Sequence, residues 1–308
     1  MPQLLTDSQL AFAYEKMIAP RVAFIDESFQ LNPKKHPPFY SMTATLVGSN
    51  QNLMHSTRQD IHKIVGDDYH ATTSAQSIDS APIDELLEYM RHSEIVTSII
   101  TIETEMSGPK YKMRAATLAQ LAIKLMDADE APDLFVADAQ DAQWQLGTMG
   151  LDRNDEAVIK ELIQRGVIGS RTKMLHSKSS HENLLHLPDT VQWAAQRALR
   201  GDSMSWNRIA SSSTVYSVKM DACVSLEGIA GVRQQARAGA AVEAIRVNTP
   251  VRSILNDLGS RGHLESLKRP KSRPGMHLGS EQERRRALHR AQGLVRPAQK
   301  VDQHISPE

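Results

Sequence analysis

Four apolar residues, Val22-Ala23-Phe24-Ile25, run straight into two adjacent carboxylates, Asp26 and Glu27. This junction constrains the fold more than any other feature of the chain. A short apolar run with β-branched and aromatic residues reads as a buried strand. A strand covered on both faces cannot hold unpaired charges in its middle, where each costs several kcal/mol or shifts its pKa until it is neutral. The charges are tolerable where the strand leaves the core. The strand therefore delivers Asp26 and Glu27 to the rim of a sheet. Neighbours on a strand point to opposite faces, so only one of the two need face a given site.

The rest of the chain supplies partners for that strand. Phe39 to Val47 reads as a second strand ended by Gly48, with Tyr40, Met42, Ala44 and Leu46 alternating against Ser41, Thr43 and Thr45. That alternation predicts one half-buried face. Further strands are predicted over 95–102, 134–138 and 172–176. Helical spacing covers 52–65, 83–90, 111–126, 154–165 and 184–199, with Pro188 an alternative start for the last. A helical turn is predicted near Leu10 to Met17 and a short element over 206–217. Ala222 to Ile245 and Val251 to Leu258 read as helical. Strands followed by alternating helices and strands indicate an α/β layer architecture.

Composition bounds the setting. A chain of 308 residues suffices for one sizeable domain plus additions. The single cysteine, Cys223, excludes an internal disulfide framework and an all-cysteine metal site, and fits a reducing cytoplasm. The sequence predicts no signal peptide and no membrane contact, since no apolar run approaches the ~20 residues of a span. The formal charge is balanced, but from Arg261 onward eleven basic residues face five acids, so the remainder is acidic. Pro270, Pro274 and Pro297 interrupt this apolar-poor end, which cannot bury enough surface to offset chain entropy. The expected organisation is a main domain over 1–218, a helical extension over 219–260 and a basic disordered tail over 261–308. Such a tail suits either sequence-independent phosphate contacts or plain solvation without a partner.

A second strand also ends in a carboxylate: Leu134-Phe135-Val136-Ala137 runs into Asp138. If both strands are central, parallel and adjacent, Asp26 and Asp138 meet at the sheet edge where α/β proteins bind ligands. Two close carboxylates repel, so one takes up a proton or a cation lies between them. A hard ion such as Mg²⁺ or Mn²⁺ suits carboxylate and water ligands. Two such ions roughly 3.5–4 Å apart clamp a phosphodiester for in-line attack. The plainer alternatives are that each Asp forms a turn or a helix cap, and that Asp189, after Pro188, merely favours a helix N-terminus.

Taken together, Phe24-Ile-Asp-Glu-Ser28, Leu134-Phe-Val-Ala-Asp138, Leu151-Asp-Arg-Asn-Asp155 with Leu162-Ile-Gln-Arg-Gly166, and Ser179-Ser-His-Glu-Asn-Leu-Leu-His-Leu-Pro-Asp189 resemble one pattern. It is that of the "domain of unknown function 3800" family of bacteria and phages, over about residues 21–210. That family is grouped with ribonuclease H-like folds. The resemblance implies a ribonuclease H-like mixed sheet flanked by helices, with strand 22–27 central and strand 134–138 beside it. It implies Asp26, Asp138 and Asp189 as metal-binding and catalytic residues, with Glu27 and Glu182 as secondary catalytic candidates. It also implies Mg²⁺ or Mn²⁺ as cofactor and nucleic acid as substrate. Three positions depart from the family pattern: Phe29 replaces Gly, Pro188 replaces Ala, and Thr73 stands where His-Ala-Thr-Glu is common.

Other residues carry readings of their own. His70 suits a proton carrier or an exposed loop histidine. Arg153 and Lys178 suit a phosphate or an ordinary surface. Trp144, Trp193 and Trp206 suit base stacking, though Trp193 within a helix better suits a core or an interface. His176, His181 and His186 lack the order of a zinc hydrolase, and no Walker or dinucleotide loop occurs. Cys223 lacks an evident base partner, which argues against a thiol enzyme. The sequence therefore points to a divalent-metal-dependent nuclease or related phosphoryl-transfer enzyme. The alternative is a non-catalytic nucleic-acid-binding or protein-interaction module of a phage or defence system.

Overall fold

A computed structural model describes residues 7–30, 38–66, 69–74, 81–93, 97–103, 109–128, 131–139, 151–219 and 222–226. All belong to a compact unit, Met1–Lys268. In chain order the elements are α1 (Asp7–Glu15), β1 (Arg21–Gln30), β2 (Phe39–Gly48), α2 (Gln51–Val65), α3 (Ala71–Ser74), α4 (Ala81–His92), β3 (Thr97–Glu103), α5 (Lys110–Met126), β4 (Leu134–Asp138), α6 (Leu151–Gln164), β5 (Lys173–Ser177), α7 (His186–Leu199), α8 (Met204–Ile209), β6 (Ser213–Ser217) and β7 (Ala222–Cys223).

One seven-stranded mixed sheet has the order β5-β4-β1-β2-β3-β6-β7. β1, β2 and β3 form an antiparallel meander, while β4 runs parallel to β1 and β5 parallel to β4. The fold is therefore the expected mixed sheet flanked by helices, with β1 inside the sheet and β4 beside it.

Two cores sit on the two faces. Val22 and Phe24 of β1 and Leu134 and Val136 of β4 point to one, which α2, α4 and α7 complete. Ala23, Ile25, Phe135 and Ala137 point to the other, under α5 and α6. Phe24 and Phe135 are fully buried, and truncating either to Ala should cost roughly 3–5 kcal/mol. The predicted half-exposure of β2 does not hold: Ser41, Thr43 and Thr45 are as buried as Tyr40 and Met42. A central strand between two helical layers has no solvent face, so its polar row must look for partners inside, and Thr43 Oγ1 finds none. Ser41 Oγ donates to Gln192 Oε1 at 2.9 Å, and Thr45 and Ser98 share a 3.3 Å hydroxyl bond.

Helix ends follow local chemistry. Asn50 caps α2 by accepting from Asn52 N and Leu53 N. Gly66 and Gly166, at φ 74° and 67°, take the left-handed conformation just past α2 and α6. α7 begins two residues before Pro188, after a 3₁₀ turn over Asn183–Leu185. Pro188 then falls in the first turn, where no backbone N–H is needed.

The C-terminal part departs from expectation. The 206–217 segment resolves into α8, a short 3₁₀ turn and β6. Ala222–Cys223, predicted to start a helix, instead pairs antiparallel with Tyr216 and Ser217, and Leu226 is buried in the core. The sheet thus continues past residue 218. The remainder of the predicted 222–245 helix, the 251–258 helix and the 261–308 tail lie outside the described residues.

Candidate functional site

Register brings the first two carboxylates together. β1 and β4 pair in parallel up to Ile25 opposite Ala137. Asp26 and Asp138 come one step later, on strands about 4.8 Å apart. Alternation continues the Val22–Phe24 and Leu134–Val136 rows, so both carboxylates face the α7 layer. α7 presents Asp189 in its first turn. Asp26, Asp138 and Asp189 line one cavity of about 280 Å³, together with His70, Gln192 and Trp193.

Hydrogen bonds seat α7 on the strand. Gln192 Nε2 donates to the Asp26 carbonyl oxygen at 3.4 Å while its Oε1 accepts from Ser41. The other wall is the loop after α2. Tyr69 OH and Thr190 Oγ1 are 2.8 Å apart, and the Tyr69 ring meets the His186 ring edge-on. Asp189 Oδ2 accepts from Ala71 N at 2.9 Å and lies 3.2 Å from His70 Nδ1.

Electrostatics mark the cavity. Burial, then the negative charges of Asp189 and Asp138, raise the Asp26 pKa well above the usual carboxylate range. Burial and the Asp189 charge push Asp138 up to about 6, against a modest opposing hydrogen bond from the Ser179 backbone. The hydrogen bond to Asp189 raises His70, outweighing its partial burial. Among the described residues, no lysine or arginine pairs with Asp26 or Asp189. Carboxylates held at this energetic disadvantage favour a cation between them, and oxygen donors of this kind fit a hard divalent ion that keeps some of its waters.

The two glutamates are ion-paired, although Glu27 also lines the cavity. Glu27 points to the opposite face, its Oε1 3.1 Å from Lys110 Nζ and its Oε2 paired with Arg114. Glu182 is buried beneath α1 and α2. It accepts from Tyr14 OH at 2.6 Å and from Arg58 Nε and Nη2 at 2.9 and 2.7 Å, and caps Leu184 N at 3.2 Å. A carboxylate already paired with guanidinium or ammonium groups has less charge to give a metal. Asp189 lies seven residues beyond Glu182, across the switch from 3₁₀ to α-helix, and that switch separates their directions.

A second charged group went unread in the sequence. Arg114, fully buried on α5, forks onto Asp155 of α6 with Nε at 2.9 Å from Oδ1 and Nη2 at 2.6 Å from Oδ2, and reaches Glu27 with Nη1. His176 Nε2 lies 3.5 Å from Asp155 Oδ2 and 3.9 Å from Asp152 Oδ1. Burial alone would lower the His176 pKa, but the bond and charge of Asp155 and the charge of Asp152 raise it. Burial alone would raise Asp155, but Arg114 and His176 hold it below the ordinary value. Asp152, Asp155 and His176 bring ligand atoms within 4.8 Å of one another, a metal-like spacing. Yet Asp155 gives both oxygens to Arg114. This group is an ion-pair network. Asp26, Asp138 and Asp189 do not form a group of that spacing among the described residues.

The other weighed residues scatter. Trp206 is in the core, Trp193 is half-buried at the cavity, Arg153 is exposed, and Trp144 lies outside the described residues.

No family model matches the chain, and no curated protein matches it. Among solved structures, the crystal structure of the ribonuclease H2 from Pyrococcus horikoshii OT3 is similar at 10% identity and a TM-score of 0.40, over 78% of this chain and 99% of that one. Likeness at that level bears on none of the site residues. Among the described residues, no helix is long and apolar enough to cross a membrane.

Proposed function

We propose that the chain is a divalent-metal-dependent nuclease, or a related phosphoryl-transfer enzyme, acting on nucleic acid. The observation that carries this reading is the convergence of Asp26, Asp138 and Asp189 from β1, β4 and α7 on one cavity, with Asp26 and Asp138 both raised by burial and by their neighbours' charge. In this reading the three aspartates hold Mg²⁺ or Mn²⁺, and the bound metal supplies a low-pKa water and charge for the phosphate. The chain's own part is to fix the carboxylates. Gln192 seats α7 on β1, and Ala71 N and His70 orient Asp189. Membership of the domain of unknown function 3800 family belongs to the same proposal, on the motifs quoted above.

The test is purified protein with Mn²⁺ or Mg²⁺ on single-stranded and duplex DNA, RNA and hybrid. Metal-dependent cleavage that Asp138→Asn removes is the expected result. Cleavage unchanged in that variant would sink the assignment.

A second reading, a non-catalytic nucleic-acid-binding or protein-interaction module, draws on Thr73 in place of an acid and on three aspartates that do not form a group of metal-like spacing. It predicts no Mn²⁺ binding by calorimetry, whereas the first reading requires binding.

A further inference from the structure

We propose that the polynucleotide taken by this site is single-stranded, and that Trp193 selects it by stacking on one base. The inference rests on reading the cavity as a phosphodiester site. α7 carries Asp189, Trp193 and Arg197 at i, i+4 and i+8, with Arg200 at its C-terminal cap, so all four fall along one side of the helix. At 1.5 Å per residue, Trp193 lies about 6 Å and Arg197 about 12 Å beyond Asp189 along the axis. The helix thus offers a carboxylate, an indole and two guanidinium groups in succession.

Three contacts place this stripe at the cavity. Trp193 lines it with the aspartates. Arg197 sits 4.9 Å from the Trp193 ring centroid, and its Nε also donates to Asp202 at 2.8 Å, which holds it beside the indole. Gln192 and Gln196, on the flank of α7 toward β1, bond the Asp26 carbonyl and Ser28 Oγ at 3.4 and 3.5 Å. The amides are spent on seating the helix and Arg197 is paired with Asp202, which leaves the indole and Arg200 for a ligand.

The chemistry of this series discriminates by strandedness. A base offers its face to an aromatic ring only when it has left a duplex stack, and every base has such a face. Arg200, exposed beyond the ring, suits the phosphate of a following nucleotide without reading sequence. A duplex offers phosphates and groove edges but no base face. A cavity of about 280 Å³ is on the scale of one nucleotide rather than the width of a duplex.

The experiment is binding of full-length protein, in Ca²⁺ so that cleavage is not the readout, to fluorescent oligothymidylate, oligouridylate and a blunt DNA duplex of matched length. The expected result is single strands bound at least about tenfold more tightly than duplex, Trp193→Ala weakening single-strand binding about tenfold or more, and Trp193→Phe recovering most of it. Tryptophan fluorescence should be quenched by the single strand in the wild type and much less in Trp193→Phe, a readout that does not require the alanine variant to fold. Equal or tighter duplex binding, or undiminished quenching in Trp193→Phe, overturns the inference. A parallel Mn²⁺ cleavage assay separates the two levels. Cleavage that prefers duplex defeats only the strandedness, whereas single-strand binding without cleavage of any substrate defeats the nuclease reading.

Discussion

Two groups of carboxylates occupy opposite faces of the same sheet, one residue apart on β1, and they are treated in opposite ways. On the α5/α6 face, Glu27, Asp155 and Asp152 meet Arg114, Lys110 and His176. Each negative charge has a positive partner, and the network ties β1, α5, α6 and β5 together. On the α7 face, Asp26, Asp138 and Asp189 meet one another, and burial with mutual repulsion raises Asp26 and Asp138. On the first face cations balance the acids; on the second, burial and like charge raise Asp26 and Asp138, and His70 stands 3.2 Å from Asp189. Proximity of acidic groups does not separate the two, because the group of metal-like spacing is the one that cations balance.

Five experiments bear on that contrast. The largest effect should come from Arg114→Met, which leaves Glu27 and Asp155 buried without their guanidinium. A loss of about 3–5 kcal/mol in urea unfolding is expected, and wild-type stability would break the structural reading of the network. Next, Asp138→Asn should lower Mn²⁺-dependent cleavage at least about a hundredfold, several kcal/mol of transition-state charge stabilisation. The same variant should lose most of the rise in melting temperature that Mn²⁺ gives the wild type. A metal-induced rise that survives intact places the ion elsewhere.

Third comes pH without metal. Asp138 moves from 3.8 to about 6 on folding. An upward shift means its stability contribution is full below 3.8 and is lost as pH rises through about 6. Metal-free melting temperatures should therefore fall across that window and fall less in Asp138→Asn, which should be the more stable protein at neutral pH. Fourth, Glu27→Gln keeps the shape but removes a charge from Arg114. It should cost roughly 1–3 kcal/mol and leave Mn²⁺ affinity unaltered, and a loss of affinity would merge the two groups. The smallest effect is that of His176, whose raised pKa should appear as an imidazole resonance titrating above 6.5. Its stability contribution is complete below 6.5 and fades as pH rises through the raised value.

Much of this was legible from residues. An apolar run ending in an acid makes a strand and its rim whatever surrounds it, so β1 and β4 and their terminal aspartates could be read directly. Gly166 marks a helix end through backbone freedom, which needs no tertiary partner. Harder to read were residues whose meaning depends on what lies across the core. Ser41, Thr43 and Thr45 look solvent-facing until α7 covers them. Arg114 looks like a surface charge on an amphipathic helix until Asp155 and Glu27 close around it. His70 looks like an exposed loop residue, and it is largely exposed, but Asp189 stands 3.2 Å from it.

The sequence by itself determined that β1 would carry two acids to a rim on opposite faces, because the side-chain period of a strand is two. It could not decide which of them would be neutralised. That was settled by which helices cover each face, α5 with its lysine and arginine on one side and α7 with its aspartate on the other. The local chain dictates direction, but charge balance depends on neighbours more than eighty residues away, and only the packed fold brings those into contact.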